Sequence, residues 1–254
     1  MKKGMGLASA MWTLSRFPFP GKPCREAETT LYWFGFSGAV IGLAASIPSL
    51  LIGLLAPMPL LQAALFTALM AYFTRGFHLD GLGDMADGFG GGFSREKTLE
   101  IMSDSHSGSF AVIAISCCLL LKAFSAAELL RTGISPLALI VPASWARTAI
   151  VLLCFVSSYA KPEGKARAIT DACTLAHLAI SLVTSAAFST ILMLTTSCSI
   201  LVAAAPAFAM IITVFVLNRV SNSRIGGITG DVCGACCEIT ETASIALMAI
   251  AAAI

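Results

Sequence analysis

Charged residues are scarce in this sequence. Asp, Glu, Lys and Arg make up 12% of its 254 residues, against about a quarter in a soluble globular protein. Hydrophobic residues make up 57% of the chain. A chain with so few charges does not provide the surface of a water-soluble domain, so the composition excludes one and indicates an integral membrane protein with several spans.

Two other features are missing. Basic residues form no stripe, and the few aromatic residues are not interleaved with Lys or Arg, which argues against a nucleic-acid partner. No second Cys or His pair stands near Cys233, Cys236 and Cys237, although a zinc site needs about four ligands. We therefore interpret these cysteines as small residues that pack on a helix face.

The N-terminal segment lacks the unbroken apolar core of a signal peptide. Lys2 and Lys3 are followed by apolar residues, but glycine, serine and threonine interrupt the run before Arg16. A cleaved signal carries a continuous apolar stretch after its basic residues. We interpret the segment as an amphipathic one that lies at the membrane surface.

Long apolar runs are what the sequence has in abundance. A membrane-spanning helix needs roughly 20 mostly apolar residues, and seven runs approach or exceed that length. We predict an all-α fold, a polytopic membrane helical bundle of about seven transmembrane helices, with a single domain over residues 1–254. The predicted spans are 32–56, 58–74, 109–130, 134–159, 175–196, 199–217 and 237–254.

Basic residues are divided unevenly between the two sets of segments that join these spans. Thirteen of the 16 Lys and Arg residues precede the first span or follow the second, fourth and sixth, and only Arg131 falls on the other side. Basic segments stay in the cytoplasm. The pattern predicts a cytoplasmic N-terminus, cytoplasmic active-site loops at about 75–108 and 218–238, and residence in the cytoplasmic (inner) membrane of a bacterium or archaeon.

The stretch HLDGLGDMADGFGGG at residues 78–92 holds three aspartates. Asp80, Asp84 and Asp87 have the spacing i, i+4, i+7, which places them on one face of a helix. Unpaired carboxylates on one face repel one another, and Mg²⁺ prefers carboxylate oxygens and shares its coordination shell with substrate phosphates. The spacing therefore predicts a Mg²⁺ site, with one or two ions. The alternative is a solvated loop with a chance acidic triplet.

A glycine run follows the aspartates. Because glycine is a poor helix former, we expect the helix to end there and the N–H groups of Gly90, Gly91 and Gly92 to form an anion site. The sequence then predicts a short helix capped by Ser94, whose N-terminus favours a phosphate. Arg95 and Lys97 are predicted to add positive charge to that phosphate site.

Two of the three histidines, His78 and His106, flank the acidic segment. Either one is a candidate general base near neutral pH, and either one is equally suited to orient an aspartate by hydrogen bonding. Asp104 stands two residues before His106 and is the third candidate catalytic residue.

A second polar cluster, RIGGITGD at residues 224–231, follows the sixth predicted span. Its Thr229 and Gly230 suit a phosphate contact, and Asp231 suits a metal contact, as does Glu238 further along. Because both clusters are predicted at cytoplasmic helix ends, we expect them to share one cavity.

Arg147 falls in the middle of the fourth predicted span. An arginine at membrane depth is costly and is a functional candidate by default. We predict that it binds a substrate phosphate. The alternative is a structural pair with a buried acid.

These stretches resemble the cobalamin-5′-phosphate synthase family, also called adenosylcobinamide-GDP ribazoletransferase. The resemblance rests on residues 77–92 and 101–108, on residues 227–238, and on the N-terminal RFPFP at 16–20. It implies a membrane enzyme that joins adenosylcobinamide-GDP to α-ribazole or its 5′-phosphate. The products are GMP and adenosylcobalamin or its 5′-phosphate, and the cofactor is Mg²⁺. Met85 departs from the family pattern, as do the cysteines after Val232.

Two other functions compete with this one. A CDP-alcohol phosphotransferase also uses spaced aspartates in a membrane helix, but the arginine of its motif is missing after Asp80 and Gly81. A cation transporter would place acids near the bilayer midplane, whereas these follow a predicted span. The sequence leaves the oligomeric state open, with a homo-oligomer as one option, and it does not choose between the two acceptors.

Overall fold

The computed structural model describes residues 5–17, 27–164, 166–196 and 198–254. Part of the N-terminal RFPFP stretch lies outside these residues, as do five of the basic residues that predict the orientation, namely Lys2, Lys3, Lys22, Arg25 and Lys165. The helices are α1 Met5–Leu14, α2 Ala27–Leu31, α3 Phe34–Leu55, α4 Pro59–Phe73, α5 Phe77–Gly91, α6 Arg95–Ile101, α7 Ser109–Arg131, α8 Ile140–Val156, α9 Arg167–Ala172, α10 Leu175–Thr196, α11 Ile200–Ile225 and α12 Gly230–Ala253.

Six helices are long and apolar enough to cross a membrane, by length and composition: α3, α7, α8 with the 3₁₀ turn before it, α10, α11 and α12. A seventh candidate is the pair α4 and α5, which is bent by 87°. Large apolar side chains such as Leu54, Val183 and Phe215 remain exposed on the outer helix faces, as expected for a surface that contacts lipid. The prediction of an all-α polytopic bundle is confirmed, and the orientation of its termini stays a prediction.

The predicted boundaries are wrong at two spans. The sixth predicted span ends at residue 217, whereas α11 continues to Ile225. The seventh was expected to begin at residue 237, whereas α12 begins at Gly230 because Thr229 caps it: the Thr229 side chain accepts the Val232 N–H at 3.4 Å. The segment at 75–108 is also not a loop, since it contains α5 and α6.

Helix α12 lies at the centre of the bundle and packs against α5, α7, α8 and α11. Glycine permits its close approach to α5. A Cβ added at Gly81 would lie 2.8 Å from the Asp231 carbonyl oxygen, and one added at Gly234 would lie 3.2 Å from the His78 Cα. Small residues at a helix interface let the backbones approach in this way. The approach brings the two predicted polar clusters together, about 150 residues apart in the chain.

A buried ionic cluster joins α7, α8 and α12. The Lys122 Nζ lies 2.6 Å from Glu238 Oε2 and 2.8 Å from Glu241 Oε1. The Arg147 guanidinium pairs with the other Glu241 oxygen and donates to the Ala143 carbonyl at 3.2 Å. Two cations and two carboxylates balance one another, which is the condition for burying such charges in a membrane.

Candidate active site

A cavity of about 620 Å³ opens where α5 begins, α12 begins and the α8–α9 connection crosses the end of the bundle. Its lining unites the two polar clusters of the sequence and adds a third segment, at residues 159–164 and 166. The polar and glycine residues on the lining include His78, Asp80, Asp84, Ser103, Tyr159, Lys161, Glu163, Gly164, Thr229, Gly230, Asp231 and Gly234.

Three of the predicted metal ligands line this cavity. Asp80 and Asp84 come from consecutive turns of α5, and Asp231 comes from the first turn of α12. The Thr229 hydroxyl donates to Asp231 Oδ2 at 3.1 Å. Asp84 lies within electrostatic range of Asp80, Asp87 and Asp231, and the Lys161 charge offsets them only in part. Such a group of carboxylates attracts a divalent cation.

The donor chemistry of these three aspartates fits Mg²⁺. Among the described residues, no three His, Cys, Asp or Glu side chains already surround one metal position. Mg²⁺ keeps several of its waters and is usually bound through one or two carboxylates plus substrate phosphates. Asp80, Asp84 and Asp231 supply hard oxygen atoms on one cavity wall, so they are the residues that would hold the ion.

Asp87 has contacts of a different kind. The Gly108 N–H donates to its Oδ2 at 2.6 Å and the Ala111 N–H donates to its Oδ1 at 2.9 Å. The carboxylate therefore caps the N-terminus of α7, where unpaired N–H groups and the helix dipole favour a negative charge. Asp87 is not on the cavity lining, and its predicted metal role has no supporting contact.

Glu238 and Arg147 also lie away from the cavity lining. Glu238 is 4% exposed and pairs with Lys122. Arg147 is fully buried and pairs with Glu241. The contacts of Arg147 match the alternative expectation, a structural pair with a buried acid, and no contact supports its predicted role in phosphate binding.

The helix ends within the glycine run as expected, but only at its last residues. Helix α5 continues through Gly91, so the N–H groups of Gly90 and Gly91 lie inside a helix, and the Gly92 N–H donates to the Gly88 carbonyl at 2.9 Å. Packing explains the glycines, since a Cβ at Gly90 would lie 2.7 Å from the Phe110 ring. Helical N–H groups are already paired, and the predicted anion site on this run has no supporting contact.

Arg95 and Lys97 were predicted to bind phosphate, and the structure gives each another partner. Arg95 donates from Nε to the Ile225 carbonyl at 2.9 Å and from Nη2 to the Ala160 carbonyl at 2.7 Å. Lys97 pairs with Glu100 at 2.9 Å. Arg95 therefore ties α6 to the end of α11 and to the α8–α9 connection. The predicted N-cap is confirmed, since the Ser94 side chain accepts the Lys97 N–H at 3.2 Å.

The three candidate catalytic residues separate into two places. His78 lines the cavity and is 1% exposed, and within the described chain neither ring nitrogen has a hydrogen-bond partner. Asp104 and His106 are exposed and contact each other, with the His106 Nδ1 2.7 Å from Asp104 Oδ1. Hydrogen bonds from the backbone and then the side chain of His106 lower the pKa of Asp104. Neither Asp104 nor His106 is on the cavity lining.

The α8–α9 connection is the part of the site that the sequence analysis missed. Ala160 N–H donates to the Ile228 carbonyl at 2.8 Å, and Ile228 N–H donates to the Ser158 carbonyl at 2.9 Å. This short parallel bridge fixes Tyr159 and Lys161 on the cavity wall. Burial and then the charge of Asp231 raise the pKa of Tyr159. In the sequence, the basic residues of the α8–α9 connection indicated only the side of the membrane on which it lies, because no motif in it marks a chemical role.

These features define a class: a polytopic helical membrane protein with an acidic cavity at one end of its bundle. The sequence profile of the cobalamin-5-phosphate synthase family matches residues 6–249. The chain belongs to that family. Membership decides against the alternatives of a CDP-alcohol phosphotransferase and a cation transporter.

Relatives named adenosylcobinamide-GDP ribazoletransferase support this membership. The relative from Chlorobaculum parvum is 37% identical over 94% of this chain and 92% of its own. The one from Chlorobaculum tepidum is 36% identical with the same coverage, and the one from Syntrophobacter fumaroxidans is 33% identical over 93% and 94%. No solved structure matches the chain.

Proposed function

We propose that this protein is a Mg²⁺-dependent adenosylcobinamide-GDP ribazoletransferase of the cytoplasmic membrane. It joins adenosylcobinamide-GDP to α-ribazole, or to α-ribazole 5′-phosphate, and releases GMP. Family membership supports the reaction, and one observation supports the site: Asp80, Asp84 and Asp231 line a single cavity although they come from two distant clusters. The relatives that are named for this reaction align with the chain over nearly their whole length.

The reaction is a displacement at phosphorus. The ribose hydroxyl of the acceptor forms a new P–O bond to the phosphate that carries the corrinoid, and the bond from that phosphorus to the GMP oxygen breaks. The hydroxyl proton passes to a base, and GMP leaves with the electron pair of the broken bond. Such a reaction depends mainly on positioning and on stabilising the charge of the transferred group.

The residues of the cavity have distinct parts in this proposal. Asp80, Asp84 and Asp231 would hold Mg²⁺, which when bound neutralises the diphosphate and polarises its oxygen atoms. His78 is the proposed acceptor of the hydroxyl proton, since it lies on the lining and its ring nitrogens have no partner among the described residues; both nitrogens are buried, so this role requires the bound substrate to reach one of them. Tyr159 lies on the α8–α9 connection, and its hydroxyl is proposed to donate a hydrogen bond to a phosphate oxygen.

Purified protein in detergent or nanodiscs tests the function when it is given adenosylcobinamide-GDP, α-ribazole and Mg²⁺. We expect GMP and adenosylcobalamin to form in equal amounts, and EDTA to stop both. A reaction without acceptor is the control, and it should release no GMP. Release of GMP without cobalamin would indicate a hydrolase and contradict the proposal, as would the absence of both products.

The proposed orientation has its own test, in a variant that lacks the nine cysteines. Phe93→Cys and Asn222→Cys place a thiol at the end of the bundle that carries the cavity, and Thr132→Cys places one after α7 at the other end. Because of the excess of basic residues near the cavity, a membrane-impermeant maleimide should label only the Thr132→Cys variant in intact cells. Labelling of Phe93→Cys or Asn222→Cys without permeabilisation would overturn the orientation.

A further inference from the structure

Lys161 is the one Lys or Arg side chain on the lining of the proposed active-site cavity, as far as the described residues show. Four carboxylates share that lining, those of Asp80, Asp84, Glu163 and Asp231. An anionic diphosphate that enters such a cavity is repelled unless cations face it. A bound Mg²⁺ would provide one cation, and among the described residues Lys161 provides another.

The backbone just before Lys161 is held by two hydrogen bonds, both at Ala160. Ala160 is bonded to Ile228 through its N–H at 2.8 Å, and its carbonyl accepts from Arg95 Nη2 at 2.7 Å. The Lys161 side chain then reaches back towards α6, where its Nζ donates to the Ser103 hydroxyl at 2.9 Å. Ser103 is on the same cavity lining. The ammonium group is therefore placed at the cavity, and two of its three N–H donors have no partner in the described part of the chain and can bind a ligand.

Three other basic side chains near this end of the bundle, Arg95, Arg224 and Lys97, already have partners. Arg95 donates to the carbonyls of Ile225 and Ala160, and Arg224 donates to the carbonyl of Phe89 at 2.7 Å. Lys97 pairs with Glu100. These contacts hold segments of the site together and occupy these three side chains.

Resting on the proposed function, we propose that Lys161 binds the diphosphate of the corrinoid-GDP substrate directly. The ammonium is a compact point charge on a flexible stem, which suits a phosphate whose charge shifts towards the leaving GMP. Ser103 positions Lys161 through its hydroxyl. Lys161 forms no covalent bond and transfers no proton in this proposal.

Inorganic pyrophosphate is the probe, because it presents a diphosphate without the corrinoid or the guanosine. In Lys161→Ala, we expect the inhibition constant of Mg²⁺–pyrophosphate and the KM for adenosylcobinamide-GDP to rise about tenfold or more, as expected when a charge-assisted hydrogen bond is lost. The KM for α-ribazole should stay within about twofold. Lys161→Arg should recover most of the loss because it restores the positive charge.

Arg219→Ala is the matched control, since Arg219 is an exposed basic residue at the same end of the bundle and is not on the cavity lining. It should leave both constants unchanged. Melting temperatures of all variants show whether they fold. If wild-type protein turns over and Lys161→Ala keeps both constants within about twofold of wild type, the Lys161 proposal is wrong and the proposed function stands. If wild-type protein forms no GMP, the proposed function fails, and calorimetric binding of Mg²⁺–pyrophosphate to wild type and Lys161→Ala still decides the role of Lys161.

Discussion

Replacement of Asp84 by Asn is expected to lower turnover by at least about a hundredfold, the size of effect seen when one key electrostatic contact in an active site is lost. Asn keeps the size of the side chain and removes its charge. Asp84 lines the cavity with Asp80 and Asp231 and interacts electrostatically with both, and we propose that it holds Mg²⁺ with them. The same substitution at Asp80 or Asp231 should have a similar effect.

The control for these variants is Asp171→Asn. Asp171 is an exposed residue of α9 that pairs with Arg167 at 3.2 Å, and it does not line the cavity. Its replacement should leave turnover within about twofold of wild type, since exposed ion pairs contribute little. The measurement is the rate of GMP release over a range of Mg²⁺ concentrations. Near-normal turnover in all three cavity variants would show that these carboxylates do not hold the metal.

Removal of Lys122 is the change with the largest expected effect on stability. Lys122→Met leaves Glu238 and Glu241 buried with only the Arg147 charge to offset them. Breaking a buried ion pair by deleting one partner costs about 3–5 kcal/mol, so we expect a clear drop in the midpoint of thermal unfolding in detergent. The double variant Lys122→Met with Glu238→Gln should recover part of the loss, because it restores the balance of charge.

Arg131→Met provides the comparison for Lys122→Met. Arg131 pairs with Glu128 on the exposed end of α7, where both side chains are more than half exposed. Its loss should change stability by less than about 1 kcal/mol. Equal melting temperatures for Lys122→Met and wild type would mean that the buried cluster does not stabilise the bundle.

The sequence predicted the features that depend on local pattern. Apolar length located the spanning helices, and the i, i+4 spacing placed Asp80 and Asp84 on one face of a helix, where the structure has them on one cavity wall. The low helix propensity of glycine correctly predicted that α5 ends within the run at 88–92, which it does at Gly91. It did not predict that Gly88 and Gly90 are still helical, at positions where close packing against Met102 and Phe110 leaves no room for a side chain.

A single sequence does not reveal which residues that are far apart in the chain pair with each other in the fold. Lys122 and Glu238 are 116 residues apart and meet inside the bundle, so an acid that looked like a metal ligand in the chain has a cation of its own. Lys161 shows the opposite case. Its segment carries no motif, and it reaches the cavity only because the chain at Ala160 pairs with Ile228.

The central claim is that Asp80, Asp84 and Asp231 form one site for a metal ion and a diphosphate. Crystals grown with Mn²⁺ and GDP test it most directly, because the anomalous signal of Mn²⁺ locates the ion without reference to the protein. The account predicts a peak in the cavity at roughly 2.0–2.2 Å from at least one of these carboxylates, with the others reaching it directly or through water, and the diphosphate beside it. A peak outside the cavity, with the three aspartates free of metal and nucleotide, would contradict the account.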